Sequence, residues 1–518
     1  FVGRNGLIQE SGLTSAELVN ASTNNLSGWI DARSNANLSI VNNNIRATYV
    51  SGTTMGVSTA ITTIVGKTYS VKVNGTRNNT NGNFYVRVTN DSTLGSFVFE
   101  LQNSNNSISA DATFVATQTT HYVGILAISQ GTNDYIQASL VSVKEIQVDV
   151  PRIDFTDDTT GHLLLEPQST NLIPYSEDAT NWSTQNNSVL ATSNQAVSPD
   201  GTLNADKLIP ASGSVTSNGG RYLSFASTAS TDYSVSIFVK QAEYRYVTFS
   251  YGSTAAYGFH FDLQDGVIIQ ELSNAQYTSI SREVESFTNG WYRLKISLTD
   301  SISQPTRFIS VRPANELPTA INNNYATTGD GTSGIYVWGF QIEQGSYATS
   351  YIPTSGAIST RNQEICNNSG TVNDFNPEEG VLYAEYKIGG DSTDSFEIIT
   401  LRNTNSTSEI IGIGKQASSN DIFIRLTIGA VSVFNNLSAT PIDGYNKVAI
   451  SYKSGNSSAW VNGTKVHSSS STFTPGSTIS RLSFQWNPTS TFNFYGKTKD
   501  LKVFKRALTD AELQELTT

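Results

Sequence analysis

Apolar and polar residues alternate with period two along most of the chain. In Tyr233–Val239 the odd positions Tyr233, Val235, Ile237 and Val239 form one apolar set. In Tyr292–Leu298 the residues Tyr292, Leu294, Ile296 and Leu298 alternate with Arg293, Lys295 and Ser297. Val381–Ile388 and Val448–Tyr452 repeat the pattern. Successive side chains on a strand point to opposite faces, so each run predicts a strand with one face on a core. Asn74-Gly75, Asp265-Gly266, Asn289-Gly290 and Asn462-Gly463 punctuate the runs. These dipeptides tolerate the positive φ that tight hairpins demand. Many short strands with close turns predict an all-β chain of antiparallel sandwiches.

A single helix is predicted, at the C-terminal end. Thr509 is placed to cap it and Glu512 lies three residues on, the spacing of a capping box. Leu508 and Leu513 have the spacing of a hydrophobic staple. At roughly Asp510 to Leu516 the helix is too short to stand alone, so it must dock on the last sandwich.

Weak internal similarity divides the rest. Gly66–Val73 resembles Ser230–Ile237, and Asn24–Trp29 resembles Ala179–Trp182. Two copies of one sandwich are expected, at 17–147 and 170–365, followed by a third sandwich at 366–518. Residues 1–16 and 148–169 remain as two halves of a connector, which makes 17–147 an insertion.

Composition narrows the partners. Charged residues are 14% of the chain and the formal net charge is −11, which argues against nucleic acid or an anionic membrane. No apolar run approaches the roughly 18 residues of a membrane span. The single cysteine, Cys366, excludes an internal disulfide. The chain opens Phe1-Val2-Gly3-Arg4 without an initiator methionine, and further sequence is expected upstream.

The connector carries distinctive motifs: Gly6-Leu7-Ile8, then Pro151-Arg152-Ile153-Asp154-Phe155, then Leu163-Leu164-Leu165-Glu166-Pro167-Gln168-Ser169-Thr170-Asn171-Leu172. Downstream stand Gly290-Trp291-Tyr292-Arg293, Gln341-Ile342-Glu343-Gln344-Gly345 and Ala348–Thr354. In these the chain resembles a family of bacteriophage virion proteins whose connector leads into a jelly-roll module. From Phe375 on, Gly380–Ala384, Trp460–Gly463 and Gly496–Leu513 resemble laminin-G or concanavalin-A-like lectin modules. The resemblance implies two jelly rolls, a C-terminal lectin-like domain and a place on the virion surface, as a fibre or capsid decoration. Other virion proteins and bacterial-surface polysaccharide are the implied partners, and a homo-oligomer, trimer or dimer, the implied assembly. Structural calcium accompanies both module types, yet no Asp-rich loop at ligand spacing is present, and no cofactor is expected.

Catalytic chemistry finds no pattern. Glu397 and Glu409 lack a second acid in register, and Asp262, Asp265 and Glu271 sit around turn chemistry at Asp265-Gly266. His121, His162, His260 and His467 show no metal-ligand spacing. A nucleophile elbow is missing.

Sugar binding needs an aromatic face for the apolar side of the ring, plus amides and acids for its hydroxyls. Trp338 alternates with Tyr336, Phe340 and Ile342 and is assigned to the core. Trp29 and Trp182 are assigned as lids, and Trp460 to packing. Trp291 alternates with Arg293, Tyr244 and Tyr246 oppose Val247 and Phe249, and His260 opposes Phe259 and Phe261. These four define an outward platform on the middle sandwich, competing with the view that they fill an interface. Trp486, beside Asn487-Pro488, is the candidate in the last domain.

The expected function is a non-enzymatic virion protein that adheres to bacterial-surface or environmental glycans. The alternatives are a secreted or surface polysaccharide-binding protein, including the accessory region of a polysaccharide-degrading enzyme, and a set of purely structural spacers.

Overall fold

In a computed structural model the chain divides into two compact units, residues 12–148 and residues 149–518 with 1–11. The structure describes residues 13–518 apart from 21–25, 43, 129, 147–151, 158, 185–187, 216–219, 253–255, 319–326, 390–395, 404–407, 418, 420 and 487–491. Most of the first connector half, residues 1–12, therefore lies outside the described residues. The chain is all-β and antiparallel, with one α-helix among the described residues.

The 12–148 unit is a sandwich of a six-stranded and a five-stranded sheet. Val71, Val73, Val141 and Val143 from one meet Val57, Val86, Val123 and Ile125 from the other. Trp29 is buried in the same core. Its first and last strands, Leu13–Asn20 and Tyr135–Ile146, pair with Leu13 opposite Ile146. The chain thus enters and leaves the unit side by side, the geometry an inserted module needs.

The second unit holds two sandwiches. One has two six-stranded sheets, and Tyr233, Val235, Ile237, Leu294 and Ile296 lie in its core as the alternation predicts. Its strand Ile335–Gln344 contains a bulge: Ser236 pairs with Gln341 but Phe238 with Trp338. Gly339, at φ +64°, takes the extra residue, and the facing parity flips there. Ile335, Val337, Phe340 and Ile342 face the core, whereas Trp338 faces away. Trp338 is buried, but in a second cluster with Phe238, Trp291 and Tyr351 on the outer side of the sheet, not in the main core.

The other sandwich packs a seven-stranded sheet on a five-stranded one. Two of the seven strands, Arg152–Asp154 and His162–Leu165, come from the second half of the connector, and Leu165 pairs with Gly496. The hairpin at Asn462-Gly463 has both residues at positive φ, 48° and 78°, as predicted. The helix Asp510–Thr517 has its capping box, with Thr509 N donating to Glu512 at 2.8 Å and Glu512 N to Thr509 Oγ1 at 3.3 Å. Leu513 docks on Val381, Tyr383, Ala449 and Trp460, with Leu508 beside them.

Candidate glycan-binding face of the lectin-like sandwich

The outward platform expected of Tyr244, Tyr246, Trp291 and His260 does not form. Trp291 does lie on the face opposite Leu294 and Ile296, but that face is strapped over by the chain around Tyr351. Its indole Nε1 donates to the Val197 carbonyl at 3.1 Å, and the residue is 2% exposed. Tyr244 precedes its strand and turns into the main core, its hydroxyl reaching Thr328 O at 3.3 Å. His260 is fully buried, with Nδ1 2.6 Å from Thr248 Oγ1. Only Tyr246 stays half-buried, beside the Arg245 guanidinium at 5.5 Å. Alternation assigns a face correctly here; a covering segment decides exposure.

The motif residues build that cover. Tyr351 packs on Trp338 at 4.5 Å between ring centres, and Ile352 N donates to Gln341 Oε1 at 2.6 Å. Glu343 accepts from Ser169 Oγ at 2.5 Å and Thr349 N at 3.0 Å. Asn171 Nδ2 donates to Ile352 O at 2.9 Å. These motifs bind connector, strap and sandwich to each other, which is a structural task.

A recess of about 570 Å³ lies in the second unit, lined by Asp154, Glu283, Lys295 and Lys497 among others. Six of its charges are paired: Lys497 with Asp154 at 2.8 Å and Asp157 at 2.9 Å, Lys295 with Glu285 and Glu283. Burial pushes Glu285 up, but Lys295 and Arg293 hold its carboxyl below the usual range.

The five-stranded sheet of the last sandwich presents a different surface. Strand Ile422–Ile428 sends Ile422, Ile424, Leu426 and Ile428 to the core. Phe423 and Arg425 take the other face. Beyond the intervening strand Ile410–Lys415, the strand Glu397–Arg402 sends Ile399 and Leu401 inward, leaving Ile398, Thr400 and Arg402 outward. The chain after the strand Arg481–Ser483 crosses this outward face. Thr400 Oγ1 donates to Gln485 O at 2.8 Å, and Trp486 N donates to Phe492 O at 3.0 Å.

Trp486 is half-buried at the mouth of a recess of about 140 Å³ lined by Phe396, Ile398, Phe423, Arg425, Asn436 and Phe492. Phe423 meets it edge-on at 6.2 Å and the Arg425 guanidinium lies 5.0 Å from its ring centre. Arg425 Nη1 donates to Asn436 Oδ1 at 3.0 Å, and burial lowers the Arg425 pKa. Aromatic rings together with a guanidinium over one of them and an amide offer both apolar and polar contacts of the kind a sugar takes. Sequence reasoning singled out Trp486 as a candidate but not Phe396, Phe423, Arg425 and Asn436, which line the same recess. The Phe423/Arg425 alternation opposite Ile422/Ile424 was the available signal. Among the described residues no cluster of three metal-ligating side chains occurs.

Residues 384–514 match the Laminin_G_3 family, described as the concanavalin A-like lectin/glucanases superfamily. The last sandwich is therefore similar to that class, as its sequence motifs implied. No curated protein sequence matches the chain. Among solved structures it is similar to the CBM40 of the Ruminococcus gnavus IT-sialidase, at 16% identity over 28% of this chain and 84% of that one, with a TM-score of 0.24. The CBM22 tandem of Paenibacillus barcinonensis Xyn10C aligns at 9% identity over 65% and 100%, TM-score 0.21. Mouse laminin α1 domains LG4-5 align at 10% identity over 57% and 92%, TM-score 0.19.

Proposed function

We propose that this is a non-enzymatic glycan-binding protein whose lectin-like sandwich holds sugar in the recess at Trp486. The observation that carries the reading is the half-buried indole with the Arg425 guanidinium over its ring and Asn436 bonded to that guanidinium. The match of this sandwich to the lectin/glucanase superfamily supports it. One ring stacked on a sugar contributes about 1 kcal/mol beyond area burial, by analogy with aromatic pairs. Single sites are then weak, and firm adhesion comes from many copies acting together. A homo-oligomer, trimer or dimer, supplies those copies, and the surface of a bacteriophage particle supplies the setting. That setting rests on the connector motifs alone. A secreted polysaccharide-binding protein would use the same recess, and mass spectrometry of purified phage particles separates the two settings.

The test is a Trp486→Ala variant titrated with bacterial-surface polysaccharide beside the unaltered chain. Binding should weaken about fivefold per site, with the unfolding transitions unchanged. Equal binding by the two proteins would refute the reading.

A further inference from the structure

His121 begins the core-facing row of the strand Thr120–Ile128 in the 12–148 unit, a row continued by Val123, Ile125 and Ala127. It is fully buried, and its ring packs on Phe114 at 5.5 Å between centres. Both ring nitrogens are engaged, and the bonds around them fix where the proton sits. The Gln118 carbonyl only accepts, so Thr63 Oγ1 donates its single proton there, at 2.8 Å. Thr63 Oγ1 is also 2.8 Å from Nδ1 and must accept from an Nδ1–H. Nε2 is then bare and accepts from Thr117 N at 3.3 Å. The imidazole held in this way is the neutral form.

The ring joins two segments, 63–67 and 116–119, at one end of the sandwich. Backbone bonds run beside it: Thr63 N to Thr119 O at 2.9 Å, Gly66 N to Ala116 O and Ala116 N to Lys67 O at 2.8 Å each. Thr117 N differs from these because a side chain, the imidazole, is its acceptor. Ile64, Val65 and Val115 are exposed around the same two segments, so the ring helps to hold an apolar end in place.

A proton added at Nε2 turns an acceptor into a donor. Thr117 N loses its partner, and Thr117 Oγ1, 3.3 Å away, is left to take the new N–H. The charge is enclosed with hydroxyls to meet it and no carboxylate among the described residues, which is costly. Titratable groups on the neighbouring elements are turned to other tasks. The Tyr69 hydroxyl accepts from Ile64 N at 2.8 Å. The Asp91 carboxylate accepts from Thr93, Gly95 and Ser96 N of its own loop. Lys67 is exposed. Burial accordingly lowers the His121 pKa.

We propose that His121 is a pH-sensitive latch: its neutral ring fastens segment 116–119 to segment 63–67, and its protonation releases that segment while the sandwich core stays folded.

The experiment follows the full chain from about pH 7.5 to about pH 4. Nitrogen NMR reads the His121 ring, and amide exchange, corrected for its intrinsic pH dependence, reads Thr117. The ring should carry its proton on Nδ1 at the upper end of the range. A released histidine titrates near about 6.5, and the closed state favours the neutral ring, so closure is strongest above that pH. Thr117 protection should therefore fall about tenfold per pH unit below about pH 6.5, until the closed-state ring itself titrates. Val123 and Ile125 should keep their protection. His121→Gln should give equal Thr117 protection at both ends of the range. A His121 ring that titrates at or above about pH 6.5, level Thr117 protection in the unaltered chain, or a pH-dependent loss that persists in His121→Gln overturns the proposal. Parallel loss at Val123 and Ile125 means that the whole sandwich unfolds, and overturns it too. Should His121→Gln fail to fold, the ring titration and the Thr117 protection of the unaltered chain decide.

Discussion

Arg152 and Glu364, 212 residues apart in the chain, form a buried ion pair in which Arg152 Nη2 donates to a Glu364 oxygen at 2.9 Å. The same oxygen accepts from Glu166 N at 2.9 Å, and Arg152 also reaches the Glu166 carboxylate. Arg361 completes the cluster on Glu166 at 2.9 Å. Burial raises both carboxyls; Arg361 and Arg152 overcome it at Glu166, which is held well below the usual range, while Glu364 stays raised. The connector motif thus locks the chain that follows the second sandwich onto strands of the third.

Arg152→Met should therefore be costly. It leaves two buried carboxylates with one cation between them. Removing one partner of a buried ion pair costs about 3–5 kcal/mol. Chemical denaturation, followed by a probe in residues 149–518, checks this. A loss under about 1 kcal/mol would mean that the cluster is hydrated and carries little.

Much of the fold was legible because period-two alternation and Asn-Gly turns are local signals. The Tyr292–Leu298 alternation, the Asn462-Gly463 hairpin and the Thr509/Glu512 cap all follow from neighbours in sequence. The site was less legible, for two physical reasons. The Gly339 bulge reverses the facing of Trp338, and alternation carries no mark of an extra residue. Exposure of Trp291 depends on a strap some sixty residues downstream, Tyr351 and its neighbours, so face and exposure came apart.

Leu513→Asp should loosen the C-terminal helix. Leu513 is 1% exposed and packs with Trp460 and Tyr383. Losing a buried leucine costs about 2–4 kcal/mol, and an isolated eight-residue helix has no stability of its own. Thermal unfolding of the lectin-like sandwich, with amide exchange at 510–517, reads the effect. Unchanged exchange would show that the helix contributes nothing to the sandwich.

Glu512 gives the helix an acid limit. The Arg506 side chain first, then the Thr509 backbone and hydroxyl, hold its pKa at about 2. In an unfolded chain glutamate titrates near about 4.3. A depressed folded pKa contributes stability that is fully present above the unfolded value and lost as pH falls through the folded one. Amide protection in the helix, corrected for the intrinsic pH dependence of exchange, should therefore fall between about pH 4.3 and pH 2. Glu512→Gln should be less protected at neutral pH and lack that slope. A slope that survives the substitution would assign it to another group.

Trp291 separates a packing role from a binding role on the middle sandwich. Its ring is enclosed with Phe238, Trp338 and Tyr351, and its only polar atom is satisfied by Val197 O. Nothing of the indole is offered to a ligand at 2% exposure. Trp291→Ala should therefore destabilise the middle sandwich by about 3–5 kcal/mol, as large aromatic truncations in cores do. The cavity would lie under the strap, so Tyr351 should lose ordering before the main core around Ile237 and Leu294 does. Glycan binding per folded molecule should be unchanged, because the recess at Trp486 belongs to the other sandwich. The measurement is a polysaccharide titration at a temperature where the variant is fully folded, beside its denaturation curve. Weakened binding with unaltered stability would place a sugar contact at Trp291 and contradict its assignment to packing.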